Sequence, residues 1–342
     1  MFINYLCACA TPRQVLIVTR HGIRTSLFPY PNDTAVWNCF KNNQFNFQSI
    51  YESHIKQEAL KLHFNVKNIA PGSCYKGQLA DQGYAQHENL HQIWKRLYPS
   101  IFTNTHQRST NSHRTRQSLL GQLQSTNLIH VSTWTMDTAF LAENCKTDHR
   151  YWARVQSNYD FKQSELQKLQ EKTNWKVGWN QFADNLRARY AMGTKFPEAL
   201  NLADYQLILN VKDQLWCYVY QRHQNIEELT KYQKMAIGPF LQDLKDYINN
   251  KTVFKIVSGH DVVITALAGV LVEEWVCAQP DYASFMAFEI YGDVLKIRYR
   301  HSGEDEGVYV KQKACMQTEC QVSDVIKFFE KYIITMQERM EL

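Results

Sequence analysis

The chain has 342 residues, 44% hydrophobic and 13% aromatic, which supplies a substantial core for one large domain or two coupled ones. The aromatic content argues against extended disorder, and a net charge of +5 is far from the concentrated basicity of a nucleic-acid binder while it suits a small anionic substrate. No apolar run reaches the ~18 residues of a membrane span; the longest, 262–272, reads as a buried helix.

Residues 1–10 are apolar and end in small side chains without a basic leader, so they are expected to be the remnant of a signal segment. Residues 14–19 (QVLIVT) form a β-branched run without polar alternation, the pattern of a strand buried on both faces. It runs straight into Arg20-His21-Gly22, and residues 29–33 then read as a loop. Within 81–97, Leu90, Ile93, Trp94 and Leu97 fall at helical spacing, and Pro99 ends the pattern. A second helix is expected over 111–124 and a strand over 129–134. From about 148 to 239 the composition turns to long polar-apolar stretches with few β-branched runs, a mainly helical insertion. Strand character returns at 253–257 (VFKIV), followed by Ser258-Gly259-His260-Asp261 and the apolar helix. Residues 284–291 and 294–299 resemble a hairpin around Tyr291-Gly292-Asp293, and an amphipathic helix is expected over 323–338.

Strands alternating with helices at both ends predict a layered α/β/α core with a mainly parallel sheet, and the middle block an inserted, mostly α-helical cap. The boundaries drawn are 11–140 and 246–342 for the core and 141–245 for the cap. Open α/β sheets carry their chemistry at the carboxyl ends of strands, where Arg20-His21 and His260-Asp261 both fall.

An apolar strand ending in Arg-His-Gly-x-Arg places an imidazole between two fork-shaped cations. His21 can attack phosphorus to give a phosphohistidine that water hydrolyses, while Arg20 and Arg24 hold phosphate oxygens. Gly22 allows a close backbone approach, and the transfer itself is mostly an electrostatic task. A leaving alkoxide needs a proton, which Asp261 can deliver.

The segment Thr19-Arg20-His21-Gly22-Ile23-Arg24-Thr25 resembles the RHGxR(S/T) signature of the histidine acid phosphatases, a branch of the phosphoglycerate-mutase-like superfamily. Gly77-Gln78-Leu79 with Gly83 and Gln86 is similar to that family's GQLTxxGxxQ segment, and Arg108-Ser109-Thr110 with Arg114-Thr115 and Ser118 to its RSTxxxRTxxS segment. Ser258-Gly259-His260-Asp261 resembles the HD motif, and residues 280–284 (PDYAS) leading into Glu289-Ile290-Tyr291 resemble PPYAS…ELY. The resemblance implies a metal-free, cofactor-free acid phosphatase acting on a small phosphate monoester. His21 is then the nucleophile, Asp261 the proton donor, and Arg20, Arg24, Arg108 and His260 the phosphate ligands. It also implies that a homodimer is an ordinary arrangement. Ala80 replaces the Thr of GQLT, so Asp81 is expected to cap the helix. Val262-Val263-Ile264 replaces TTL after HD, and Phe285 replaces a Cys after YAS, which leaves Cys277 or Cys217 to pair differently.

Nine cysteines, a closely spaced Cys315/Cys320 pair and the sequons Asn32-Asp33-Thr34 and Asn250-Lys251-Thr252 are compatible with a secreted or lysosome-like glycoprotein. Three other functions compete. His87-Glu88-Asn89-Leu90-His91 matches the HExxH zinc-protease pattern, but lacks a third ligand at the expected spacing. A non-catalytic phospholigand binder is expected to have lost His21 or Asp261, and both are present; a phosphotransferase or mutase of the same superfamily is disfavoured by the HD pair. The cluster His106 to Arg116, with Arg108, His113, Arg114 and Arg116, lacks interleaved aromatics and reads as a solvated helix start with one phosphate ligand. Residues 26–37, with Phe28, Tyr30 and Trp37, are expected to line the mouth of the site.

Overall fold

All seven residues of strand β1 (Gln14–Arg20) are buried, as an unalternated apolar run requires. The computed structural model describes residues 11–37, 39, 72–102, 105–110, 112–124, 162–221, 225–275, 277–335 and 337–338. Among these, β1 lies inside a seven-stranded sheet with β2 (Thr105–Ser109), β3 (Phe254–Gly259), β4 (Phe285–Tyr291), β5 (Val294–Arg300), β6 (Val308–Tyr309) and β7 (Glu319–Gln321). The order is β2-β3-β1-β4-β5-β6, with β7 also on β5. β2, β3 and β1 run parallel and form the core of the sheet; β4 returns antiparallel beside β1 and opens an antiparallel wing through β5. The predicted hairpin joins β4 to β5, with Gly292 at φ 58° in the first of two loop positions.

Helices cover both faces. Val15, Ile17, Phe254, Ile256, Phe285 and Ala287 pack against α1 (Asp81–Leu97) and α2 (His113–Leu123) through Leu90, Ile93, Trp94, Leu119 and Leu120. Between these elements and β3 come α3 (Gln163–Thr173), α4 (Trp179–Ala191), α5 (Leu202–Tyr220) and α6 (Ile226–Asn249). On the opposite face Leu16, Val18, Val257, Met286 and Phe288 meet α6 and α7 (Asp261–Leu271) through side chains such as Phe240, Leu241, Ile264 and Leu267. Helices α3, α4 and the first half of α5 bury a cluster of their own, with Leu166, Leu169, Phe182, Leu186, Ile208 and Val211. Leu215 to Tyr220 of α5 join the cluster on the sheet.

Several sequence expectations change. Ala80 itself occupies the N-cap position without a side-chain bond, and Asp81 is the first helical residue, where its charge favours the helix dipole instead. Helix α8 (Val322–Phe329) stops well short of residue 338. After Phe329 the chain turns to cross α6 at Gly238, where a Cβ would stand 2.4 Å from the Tyr332 carbonyl oxygen. Strand β2 reads THQRS, with no apolar residue to announce it. The strand expected over 129–134 lies outside the described residues.

Disulfides join Cys39 to Cys74, Cys217 to Cys277 and Cys315 to Cys320. The second spans 60 residues and ties α5 to the segment before β4. Replacing Cys217 and Cys277 by serine is expected to remove about 2–4 kcal/mol of stability, measured by denaturant unfolding; an unchanged midpoint would refute a constraining role.

Within the HExxH stretch, His87 is fully buried between α1 and α2, its Cβ against Gly121. Neither ring nitrogen meets a hydrogen-bond partner among the described residues. Burial, aided by Arg300, lowers its pKa to about 3. The unfolded chain therefore binds a proton at this residue that the folded chain refuses between about pH 6.5 and 3, so this contribution to stability is lost as pH falls through that window. His87→Leu should flatten the acid limb of a Tm-against-pH curve; an unaltered slope would contradict this.

Candidate active site

Strand β1 delivers Arg20 and His21 to its carboxyl end, and β3 delivers His260 and Asp261 to its own. The His21 amide donates to the Gly259 carbonyl at 3.0 Å, so the two strand ends are locked in register. The loop after β1 is gripped by the flanking motifs. Ser118 of α2 accepts from the Gly22 amide at 3.1 Å and Gln86 of α1 from the Ile23 amide at 2.9 Å. Residues 77–80 run antiparallel to this loop, Thr25 N donating to Gln78 O and Ala80 N to Ile23 O. Gly22 and Gly83 meet backbone to backbone: a Cβ on Gly22 would lie 2.2 Å from the Gly83 oxygen, and one on Gly83 2.1 Å from the Ile23 oxygen. The close backbone approach expected at Gly22 is thus made, and it is made with α1.

His21 is 2% exposed and its Nδ1 lies 2.9 Å from the Gly22 carbonyl. A carbonyl only accepts, so Nδ1 carries the hydrogen and the lone pair is left on Nε2. Burial first, then Arg114, Arg24, Arg20 and His260, holds the His21 pKa well below 6.5. The ring is therefore neutral, with its Nε2 lone pair free, in a cluster of cations.

The His260 ring stands 5.5 Å from that of His21, edge to face. Arg114 Nη2 points at His260 Nδ1 at 3.4 Å, and a guanidinium only donates, so Nε2 of His260 carries the proton toward Thr110 Oγ1 at 3.0 Å. Burial and Arg114 lower the His260 pKa as well.

Arg20 is 1% exposed, with Nη2 2.9 Å from Asp261 Oδ2, Nη1 donating to the Pro280 carbonyl and its guanidinium 4.3 Å above the Tyr282 ring. Burial is the main influence on Arg20 and lowers its pKa. Arg24 donates to Asp184 Oδ1 of α4 at 2.5 Å, and Asp184 Oδ2 accepts from Ser26 Oγ and the Leu27 amide at 2.8 and 2.7 Å. Burial alone would lower Arg24, but Asp184 outweighs it and raises the pKa; reciprocally, burial would raise Asp184, but Arg24 and these hydrogen bonds lower it. Burial would likewise raise Asp261, but Arg20, the Gln279 amide, His260 and Arg24 depress it.

Of the six residues singled out from sequence, His21, Arg20, Arg24, His260 and Asp261 converge. Arg108 is placed differently. It pairs with Val257 across β2 and β3, whose side chain belongs to the α6 face, and its Nη1 meets Asp243 of α6 at 2.6 Å. The arginine that faces His260 is Arg114, six residues on in the same motif, in the first turn of α2. Arg116 of that basic cluster is only 2% exposed, so the helix start is not solvated as the sequence suggested. Sequence reasoning also missed Asp184, Arg187 and Gln279, which have no local signature.

The aromatic residues expected at the mouth separate. Trp37 is 2% exposed and lies under Arg189, Tyr30 packs edge to face on Trp175, and Phe28 remains exposed. Tyr30 and residues 31–36 instead line a cleft of about 880 Å³ with Arg189 and residues 194–199. His91 Nδ1 donates to the Gln122 carbonyl at 2.8 Å and its ring packs on Phe102, so it does not point into a shared site with His87. Among the described residues no three His, Cys, Asp or Glu side chains converge to hold a metal.

No protein-family model matches the chain. Counting factor 60 of Dictyostelium discoideum is 25% identical over 328 residues, covering 83% of this chain and 77% of that protein. Among solved structures, the Hafnia alvei phytase superposes with a TM-score of 0.60 at 10% identity, over 96% of this chain and 98% of that one. The D. castellii phytase gives 0.55 at 16% identity, over 97% and 82%, and the Bifidobacterium longum multiple inositol polyphosphate phosphatase 0.54 at 11%, over 97% and 94%. The fold is that of these phytases and of the inositol polyphosphate phosphatase. Near-complete coverage at such low identity means that the architecture is shared while most side chains differ.

Proposed function

We propose that the protein is a phosphomonoesterase that works through a phosphohistidine at His21, with Asp261 as proton donor. The observation that carries this reading is the tautomer of His21. Its Nδ1 hydrogen is spent on the Gly22 carbonyl, so Nε2 is a neutral nucleophile facing a cradle of arginines. Arg20 and Arg24 supply two sides of the cradle. We assign the third side to Arg114 and His260, in place of Arg108, because Arg114 faces His260 while Arg108 is engaged by Asp243.

In the first step Nε2 attacks phosphorus, an N–P bond forms, the P–O ester bond breaks and the alkoxide takes a proton from Asp261. In the second, water attacks phosphorus, gives a proton to the Asp261 carboxylate, and the N–P electron pair returns to Nε2. Arg20, the Gln279 amide, His260 and Arg24 favour the ionised form of Asp261 against its burial; a bound phosphoryl group offsets the charges of Arg20 and Arg24 and so favours its protonation. Because the His21 pKa is depressed, the nucleophile stays unprotonated well into the acid range, as an acid phosphatase requires. A panel of phosphate esters assayed for inorganic phosphate tests the reaction. Stoichiometric phosphate release is expected, and phosphate passed to an acceptor alcohol without release would make the protein a transferase.

Finer points belong to the same proposal. Three disulfides and two sequons in exposed turns at Asn32 and Asn250 support a secreted or lysosome-like glycoprotein. Of the cap expected over 141–245, α3, α4 and the first half of α5 are retained, on the strength of the apolar cluster they bury between them; the rest of α5 and α6 pack on the sheet and belong to the core. A small phosphate monoester is the proposed substrate, without nucleic acid as a partner, and homodimerisation is carried forward from the family resemblance alone.

A further inference from the structure

Helix α4 presents Asp184 and Arg187, one turn apart on a single face, to the two halves of the site. Asp184 holds Arg24, as described. Arg187 Nη1 donates to Gln279 Oε1 at 2.5 Å, and its Nη2 donates to the Gln279 carbonyl at 3.1 Å and to Asp281 Oδ1 at 2.7 Å. With Oε1 committed to Arg187, the amide of Gln279 has one orientation, and its Nε2 donates to Asp261 Oδ2. The backbone of the same residue is fixed independently: Asp213 of α5 accepts from the Gln279 amide at 2.9 Å, and one turn further along α5 Cys217 is bonded to Cys277.

We propose that Gln279, oriented by Arg187 of α4, is a positioning residue that sets when Asp261 holds its proton, and that this couples the helical layer to the acid step. The inference rests on the phosphatase reading for its consequence, not for its geometry. An amide N–H stabilises a carboxylate and repels a carboxylic acid proton, so the clamp favours the ionised form. Were the amide free to rotate, Oε1 could accept from a protonated Asp261 and the preference would reverse. Arg187 forbids that rotation. The other charged or titratable groups facing Asp261 are Arg20 of β1, Arg24 of the following loop and its neighbour His260, which also lower its pKa, and the Val262 amide donates to its Oδ1 at 3.0 Å. Tyr282 stacks on Arg20, Arg114 of α2 lies beyond His260, and Asp281 pairs with Arg187 without touching Asp261. Gln279 carries no charge, so removing it changes hydrogen bonding without altering net charge.

The test reads Asp261 twice. In the substrate-free protein, the 13C carboxyl resonance of Asp261 is titrated in wild type, Gln279→Met, Arg187→Met and the double variant. Gln279→Met is expected to raise the pKa by about one unit; Arg187→Met should move it the same way, and the double variant no further than Gln279→Met. In parallel, the basic limb of the kcat profile on an alkyl phosphate should move up in Gln279→Met, whereas that on an activated aryl phosphate should not. An unmoved carboxyl titration in Gln279→Met overturns the inference, whatever the activity. A raised pKa with Arg187→Met additive to Gln279→Met overturns the coupling to α4. A wild type without phosphatase activity sinks the functional reading, while the titration still decides whether the clamp sets the proton affinity of Asp261.

Discussion

His21→Ala is expected to lower turnover of phosphate esters by roughly 10⁵-fold or more, because it removes the atom to which phosphorus becomes bonded. No other side chain in the described site offers a replacement. The His260 Nδ1 faces Arg114 and its Nε2 carries a proton toward Thr110, so its lone pair is engaged by a donor. Acid-labile label from a 32P-ester should appear on wild-type protein quenched during turnover and be absent from the variant, with stability on base treatment identifying a phosphoramidate. Removing one buried neutral ring leaves the arginine cradle intact, so the variant should still bind inorganic phosphate; that binding, read by calorimetry, shows that the site has formed. Full activity in His21→Ala would end the proposal. So would a wild type that turns over rapidly without covalent label under conditions where the second step is slow.

Much of this site was legible in the sequence because its central members sit at the ends of strands buried on both faces. Residues 14–19 have no polar alternation and 253–257 (VFKIV) are apolar apart from Lys255, which marks core strands, and the polar residues that follow them must then emerge at a carboxyl edge. Which arginine joins them was not legible. Arg108 lies in a strand with no apolar residue, so nothing in THQRS discloses its register or which face each side chain takes. Only the pairing of Arg108 with Val257 puts it on the α6 face, and only the start of α2 one turn later turns Arg114 toward His260. Asp184 and Arg187 were invisible for another reason. In WNQFADNLRARYA they look like the polar side of an amphipathic helix, and a solvated carboxylate is the ordinary interpretation of such a residue. Their roles depend on a contact between segments more than 150 residues apart in sequence, Asp184 to Ser26 and Leu27, that local pattern does not encode. Gln86 and Ser118 are intermediate cases: the motif resemblance located them, while their work as acceptors for the amides of Ile23 and Gly22 follows only from the structure.

Asp261→Asn should reduce kcat/KM for an alkyl phosphate by roughly 10²–10⁴-fold and for an activated aryl phosphate by much less. The comparison is made on kcat/KM because that quantity reports steps up to the first irreversible one, P–O cleavage, and is blind to hydrolysis of the phosphohistidine. An alkoxide leaves poorly without a proton, and the asparagine amide has none to give; an activated phenolate leaves unaided. The substitution has a structural cost that must be separated from the chemical one. Asp261 Oδ2 meets both Arg20 and Gln279, two donors, so asparagine places either a weaker acceptor or a third donor among them and leaves the buried Arg20 charge uncompensated. That cost falls on every substrate alike. The diagnostic is therefore the ratio of losses between the two esters. On the aryl ester, moreover, phosphohistidine should accumulate in the variant, since the carboxylate that accepts the proton of the attacking water is gone while P–O cleavage still proceeds. Equal losses on both esters, with no accumulation, would move Asp261 from proton donor to a mere counter-charge for Arg20.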